Sequence, residues 1–291
     1  MKILVLGSNG QLGRCLFDQF HNLEDQVIFM SRSEIDIGDL DNSKKKIANT
    51  NPDLIINAAA YTEVDKAENN EAEANLINNL AVRNIAEICL ELNCWLIHIS
   101  TDYVFDGFST HPYNERNSTN PQGVYGTSKL DGEIGVVSSG CKYLIIRTSW
   151  VFSEYGKNFM KTMLQLGKKQ SKINVVGDQF GCPTYAQDIA KAIVSITQHI
   201  DSKNLESSIY HYAGNIKCSW YEFSNAIFFE AKKIGHEIPT DVISIDTDDY
   251  PTLAARPQYS VLDSEKFEKK FDVKPSNWHQ AIKDVLHILN H

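Results

Sequence analysis

No apolar run in these 291 residues approaches the roughly 18 that a membrane-spanning helix requires, so no span is expected. The first residues, MKILVLGSNG, have the look of a secretion signal, yet their apolar stretch stops at Gly7 and reads as a buried strand. Basic excess is missing too. Lys and Arg number 28 against 37 Asp and Glu, and the formal charge of −9 argues against a nucleic-acid partner, which needs a basic face for phosphates. An anionic ligand must then be held by local geometry. The six cysteines (Cys15, Cys89, Cys94, Cys141, Cys182, Cys218) are scattered, with no C-x-x-C and no Cys/His group at zinc spacing. They point to reduced, buried thiols in a cytoplasmic protein. Repeats and low-complexity tracts are also wanting, and the length suffices for two lobes.

What is present is a series of short Val/Ile/Leu-rich runs: KILVLG, QVIFMS, DLIINAAA, WLIHIS and YLIIRTSWVF. Strands apolar throughout are buried on both faces, which predicts a parallel sheet. Helical segments lie between them, clearest over 72–92, where Ala74, Ile77, Ala81, Ile85 and Ile88 recur at spacings of three and four. The fold class is therefore α/β, a doubly wound, Rossmann-like parallel sheet with right-handed crossovers. After Phe152 the alternation weakens. A helix-like NFMKTMLQLGKK, a short strand INVVGD and a helix over 186–199 precede a loop-rich stretch broken by Pro239, Pro251 and Pro257. The expected division is a dinucleotide-binding domain over 1–152, with part of 184–215 returning to it, and a smaller lobe over 153–291. The run Lys44 to Lys46 reads as a solvated helix face.

GSNGQLG follows the first strand directly and opens a helix. Gly7, Asn9, Gly10, Gln11, Leu12 and Gly13 thus occupy the place where a glycine turn lets a pyrophosphate approach a helix N-terminus. The spacing is G-x-x-G-x-x-G, and simple turn chemistry would use the same residues. After the second strand, where an NAD site usually places an acidic residue, stand Ser31 and Arg32. An arginine there suits a 2′-phosphate, so NADPH is expected as cofactor, with NADH possible. Asp36 and Ile37 come just beyond, beside the adenine, and Ala58, Ala59 and Ala60 end the third strand with side chains small enough to leave room for a dinucleotide.

The fourth strand delivers Thr101 and Asp102 at its carboxyl end, where open α/β sheets bind ligands. If the chain from Val124 is helical, Tyr125 and Lys129 stand at i and i+4 on one face of the same site. A phenol with a reference pKa near 10 becomes a useful proton donor when an ammonium stabilises its anion, so Lys129 is expected to lower Tyr125 and to hold the cofactor ribose, while Thr101 orients a carbonyl. Reduction of a ketone needs hydride on carbon and a proton on oxygen, and this set supplies the proton. His98 lies inside an apolar strand and reads as a packed core histidine.

GSNGQLG, PDLIINAAAYTEVDKAE, STDYVFDG, VYGTSKLDGE, IIRTSWVF, GDQFGCPT, YHYAGNIKCSWYEF and ARPQYSVLD together resemble the extended short-chain dehydrogenase/reductases, and more closely the dTDP-4-dehydrorhamnose reductases. The resemblance covers nearly the whole chain. It implies NADPH-dependent reduction of the C4 ketone of dTDP-4-dehydro-L-rhamnose, with Thr101, Tyr125 and Lys129 catalytic and Asp102 supporting. It places Thr62, Val64, Tyr103 and Trp150 near the nucleotide sugar, with Arg256 reaching the same ligand from the second lobe. Nucleotide-sugar dehydratases of this superfamily resemble one another in a Thr-Asp-Glu at the strand end, where this chain has Thr101, Asp102 and Tyr103, and epimerases commonly carry an acid where it has Arg32. Some similar reductases hold a metal at a dimer contact through an acid soon after the glycine turn. Here Arg14 and Cys15 stand in that neighbourhood, so no metal is assigned. A homo-oligomer and another 4-keto-6-deoxy sugar substrate remain open, as does a non-catalytic role resembling the regulatory β subunit of methionine adenosyltransferase.

Overall fold

In the computed structural model, which describes residues 1–21, 26–200 and 205–290, strands and helices alternate from the first residues. The chain runs β1 (Lys2–Leu6), α1 (Gln11–Phe20), β2 (Gln26–Met30), α2 (Leu40–Thr50), β3 (Leu54–Asn57), α3 (Val64–Ala67), α4 (Glu71–Asn75), α5 (Ala81–Leu92), β4 (Trp95–Thr101), α6 (Val124–Ser139) and β5 (Lys142–Thr148). It continues through β6 (Val151–Phe152), α7 (Phe159–Gly167), β7 (Lys172–Val176), β8 (Phe180–Gly181), β9 (Thr184–Tyr185), α8 (Ala186–Thr197) and β10 (Ser208–His211). Last come β11 (Cys218–Ser219), α9 (Trp220–Lys233), β12 (Asp241–Ile245), α10 (Glu265–Phe271) and α11 (Trp278–Leu289).

Successive strand residues point to opposite faces, so a wholly apolar strand must be covered on both. In β1, Ile3 and Val5 enter one buried cluster and Leu4 and Leu6 the other. α1, α8 and α10 cover the first face, while α2, α5 and α6 cover the second through residues such as Ile47, Ile85 and Val136. The sheet is parallel throughout, in the order β10-β5-β4-β3-β1-β2. The chain leaves β1 toward β2 and then returns to β3 on the other side of β1. Their carboxyl ends therefore flank a topological switch point, the usual ligand position in an open α/β sheet.

β10 and α8 join this large core, and so does α10 through Phe267 and Phe271. A separate cluster gathers α7, α9 and α11 around Phe223, with β7 and β12 paired in parallel beside it. The stretch read as loop over 235–263 thus contains a strand, β12, made possible by its five-residue register with β7. α9 opens with a capping box, Ser219 accepting from the Glu222 N–H and Glu222 from the Ser219 N–H. All six cysteines are free and buried, as their scatter suggested. Among the described residues, no helix is long and apolar enough to cross a membrane.

Candidate active site

The turn after β1 is shaped by two contacts that only glycine permits. Gly7 has φ +82°, and a Cβ there would lie 2.7 Å from the Ala59 nitrogen; at Gly13 it would lie 2.2 Å from the Gly7 carbonyl oxygen. Backbone thus packs on backbone, and the N-terminus of α1 opens beside the ends of β1 and β3 with no side-chain cap and no acidic residue in its first turn. A cleft of about 570 Å³ runs from here and is lined by Gly7, Asn9, Gly10, Arg32, Asp36, Ile37, Ala58, Ala59, Ala60 and Thr62 among others. Its size suits a small-molecule ligand.

Of the expected cofactor residues, Gln11, Leu12, Gly13, Ser31, Tyr125 and Lys129 are not among those that line this cleft. Gln11 accepts from Ser153 Oγ and Asn158 Nδ2, both at 2.9 Å, and so ties α1 to the chain after β6. Leu12 is core, and Gly13 is packed against Gly7. The Ser31 hydroxyl is spent on Glu34 at 2.7 Å, whereas the Arg32 side chain lines the cleft. Its guanidinium is 74% exposed and stands 3.5 Å from Asp36 and 3.8 Å from Glu73.

β4 ends at Thr101, whose Oγ1 donates to Asp102 Oδ1 at 3.0 Å and accepts from the Tyr103 N–H. α6 begins at Val124, so Tyr125 and Lys129 do share a face one turn apart. The Thr101 hydroxyl lies against the Tyr125 phenol, and the Tyr125 ring meets Tyr103 edge-on at 5.4 Å. Lys129 is 2% exposed, with Nζ donating to the Ile99 carbonyl at 2.7 Å and facing His98 Nε2 at 3.3 Å. Burial pushes Lys129 down to about 8, partly opposed by Glu133. Burial also carries the Tyr125 phenol well above its ordinary value, outweighing Thr101. The expectation that Lys129 lowers Tyr125 is therefore corrected: the lysine nitrogen is anchored inward, on a strand carbonyl, and desolvation governs the phenol. Buried Asp102 is raised to about 6 by desolvation, against the hydroxyls of Ser260 and Thr101.

The residues expected at the sugar divide. Arg256 Nη1 donates to the Tyr103 hydroxyl at 3.2 Å, and Nη2 pairs with Asp65 of α3 at 2.5 Å. Tyr103 and Arg256 also line one small cavity with Phe105 and Phe108. Val64 stands next to Asp65 in α3, whereas Thr62 lies in the cleft of Gly7. Trp150, two residues beyond the Thr148 that pairs with Thr101, has φ +47° and stacks on Trp220 at 3.4 Å, with Gly181 pressed on its indole.

Sequence reasoning passed over Asp65, Asn57 and Asn78. Asn78 sits in a π-helical turn (Leu76–Leu80) between α4 and α5, fully buried. It accepts from the Tyr61 N–H at 2.9 Å and donates to the Tyr61 carbonyl and to Ser128 Oγ, joining the cleft wall to α6. The signal was a lone amide on the buried face of a helix. A π-turn widens the helix locally and is frequent at functional sites.

The chain and its fold are similar to those of known proteins. The chain is 42% identical over 288 residues to a dTDP-4-dehydrorhamnose reductase of Aggregatibacter actinomycetemcomitans, covering 98% of each. Its fold superposes on a dTDP-4-dehydrorhamnose reductase of Clostridium acetobutylicum with a TM-score of 0.92 at 36% identity, covering 100% of both chains. With one from Bacillus anthracis, solved in complex with NADP, the TM-score is 0.90 at 33% identity over 99% of each. The model of the RmlD substrate binding domain matches residues 1–291, and with full-length relatives at this level of identity the chain belongs to that family.

Proposed function

We propose that this protein reduces the C4 ketone of dTDP-4-dehydro-L-rhamnose to give dTDP-L-rhamnose, with NADPH as reductant. The observation that carries this reading is the convergence of Thr101, Tyr125 and Lys129 at the end of β4, beside a cleft that opens at the β1/β3 switch point. The cleft suits a dinucleotide: Gly7 lets the turn after β1 pack directly on the backbone at the end of β3, and the uncapped start of α1 offers N–H groups to a pyrophosphate. When bound, the reduced nicotinamide supplies hydride. Thr101 and Tyr125 hold the ketone oxygen, and Tyr125, kept protonated by its surroundings, gives that oxygen a proton. Lys129, drawn toward α6's buried side, holds the cofactor ribose. Tyr103 and Arg256 bind the sugar nucleotide, and Asp65 keeps the guanidinium in place until then. Six buried free thiols suit a reducing, cytoplasmic setting.

Oxidation of NADPH in the presence of dTDP-4-dehydro-L-rhamnose, with identification of the sugar product, tests the reading. Turnover to dTDP-L-rhamnose is expected, and its absence with an intact, NADPH-binding protein refutes the assignment. The same assay with NADH should be slower, and Arg32→Ala should shrink the preference by about tenfold, the worth of one exposed charge-assisted phosphate contact.

A further inference from the structure

Asn57, His98 and Lys129 form a buried line of polar groups whose donors and acceptors follow from one backbone N–H. The Ala59 N–H donates to Asn57 Oδ1 at 3.1 Å. A backbone N–H cannot become an acceptor, so the amide orientation of Asn57 is settled and its Nδ2 is the atom 3.2 Å from His98 Nδ1. An amide nitrogen only donates. His98 Nδ1 must then accept, and a neutral imidazole that accepts at Nδ1 carries its proton on Nε2. That Nε2 faces Lys129 Nζ at 3.3 Å, while Nζ also donates to the Ile99 carbonyl at 2.7 Å.

We propose that His98 is a positioning residue for Lys129: locked by Asn57 with its proton on Nε2, it turns an N–H rather than a lone pair toward the lysine nitrogen, and so sets both where that nitrogen sits and how readily it releases a proton. An ammonium at Lys129 meets another donor there; a neutral amine accepts from it, and every group in the line is then satisfied. His98 is 0% exposed, which leaves the ring to its protein partners. Protonating the ring would set an Nδ1–H against the Asn57 amide and a second charge against Lys129, and burial together with Lys129 holds His98 well below its usual range.

The other charges around the pair do not undo this. Glu133, one turn further along α6, attracts a proton to Lys129 but is itself bound by Arg147 of β5, whose Nε and Nη2 donate to it at 2.9 and 2.6 Å. Tyr125 stands one turn before Lys129 on α6, and Asp102 and Tyr103 follow directly after β4. The inference rests on the reductase reading for its catalytic meaning but not for its geometry.

Its test begins with the unmodified full-length protein, labelled with ¹⁵N-histidine, with His98 assigned by its loss in His98→Gln. The ring should show a protonated Nε2 and an unprotonated Nδ1; a proton on Nδ1 overturns the proposal. Asn57→Asp replaces the amide donor by an acceptor, which draws the His98 proton to Nδ1 and offers Lys129 a lone pair. In that variant the titration of Lys129, read by ¹³C-lysine NMR, and the alkaline limb of kcat should both move to higher pH, by about one unit. A switched tautomer with an unmoved Lys129 titration defeats the positioning role, and a moved titration with an unmoved limb defeats its part in turnover. Lack of any activity toward the sugar nucleotide refutes the functional assignment instead, since both spectroscopic readings are independent of turnover.

Discussion

Tyr125 and Lys129 divide their work by depth. The phenol lies against Thr101 at the end of β4, whereas the lysine nitrogen is tied to Ile99 and His98 within the strand. Tyr125→Phe keeps the ring that packs edge-on against Tyr103 and removes only the donor. Turnover should fall by about 10²–10⁴-fold, the range for loss of a positioned acid, with NADPH affinity unchanged in equilibrium titration. Near-normal turnover would show that another group supplies the proton. Asp102 would be the first to suspect, because burial already raises its carboxyl to about 6.

At the scale of elements, the helical stretch over 71–92 matters as much as the catalytic helix. Its π-turn lets Asn78 satisfy both backbone groups of Tyr61 and the Ser128 hydroxyl at once. Asn78→Ala should cost about 1–3 kcal/mol, since it strands buried polar groups, and should raise the KM for NADPH because Tyr61 walls the cleft. Urea denaturation and cofactor kinetics check this together; lost stability with an unaltered KM would confine Asn78 to a structural role. The amide was hard to foresee because periodicity marks apolar positions and is silent on a polar one among them. The five leading strands were legible because each is a continuous apolar run, and the glycine turn because its spacing and context coincide. β12 was not, since DVISI becomes a strand only by pairing with β7, and α9 was missed although Ser219 and Glu222 spell its cap. Trp150 was placed by resemblance, but its left-handed backbone and its stack on Trp220 have no local sequence signature.

The whole molecule is held across its parts by a few polar ties, and each makes a distinct prediction. Arg256 reaches Asp65 and Tyr103 from a segment remote in sequence, so Arg256→Ala should raise the KM for the sugar nucleotide severalfold and leave NADPH binding nearly untouched. A fall in NADPH affinity instead would reverse the assignment of the two ligands. His211 is a tie of another kind, on the edge strand β10. Its Nδ1–H donates to the Tyr113 carbonyl at 3.0 Å, its ring lies 3.5 Å from Arg147 Nη1, and its backbone N–H donates to Glu115. Burial, aided by Arg147, lowers it from 6.5 to about 3. A folded state that keeps this ring neutral binds fewer protons than the unfolded chain below pH 6.5. Its contribution to stability is therefore complete above that value and is lost as pH falls toward 3. Between pH 7 and 5 the loss from this one group amounts to roughly 2 kcal/mol. Asp102 works in the opposite sense, since a carboxyl raised to about 6 favours the folded state as pH drops toward 3.8, but it is common to parent and variant. His211→Asn keeps a donor for Tyr113 and cannot titrate. It should be less stable than the parent at pH 7, from lost packing, yet should lose less between pH 7 and 5. Urea midpoints at the two pH values decide the matter, and an equal fall in both proteins would mean that His211 is not held neutral in the folded state.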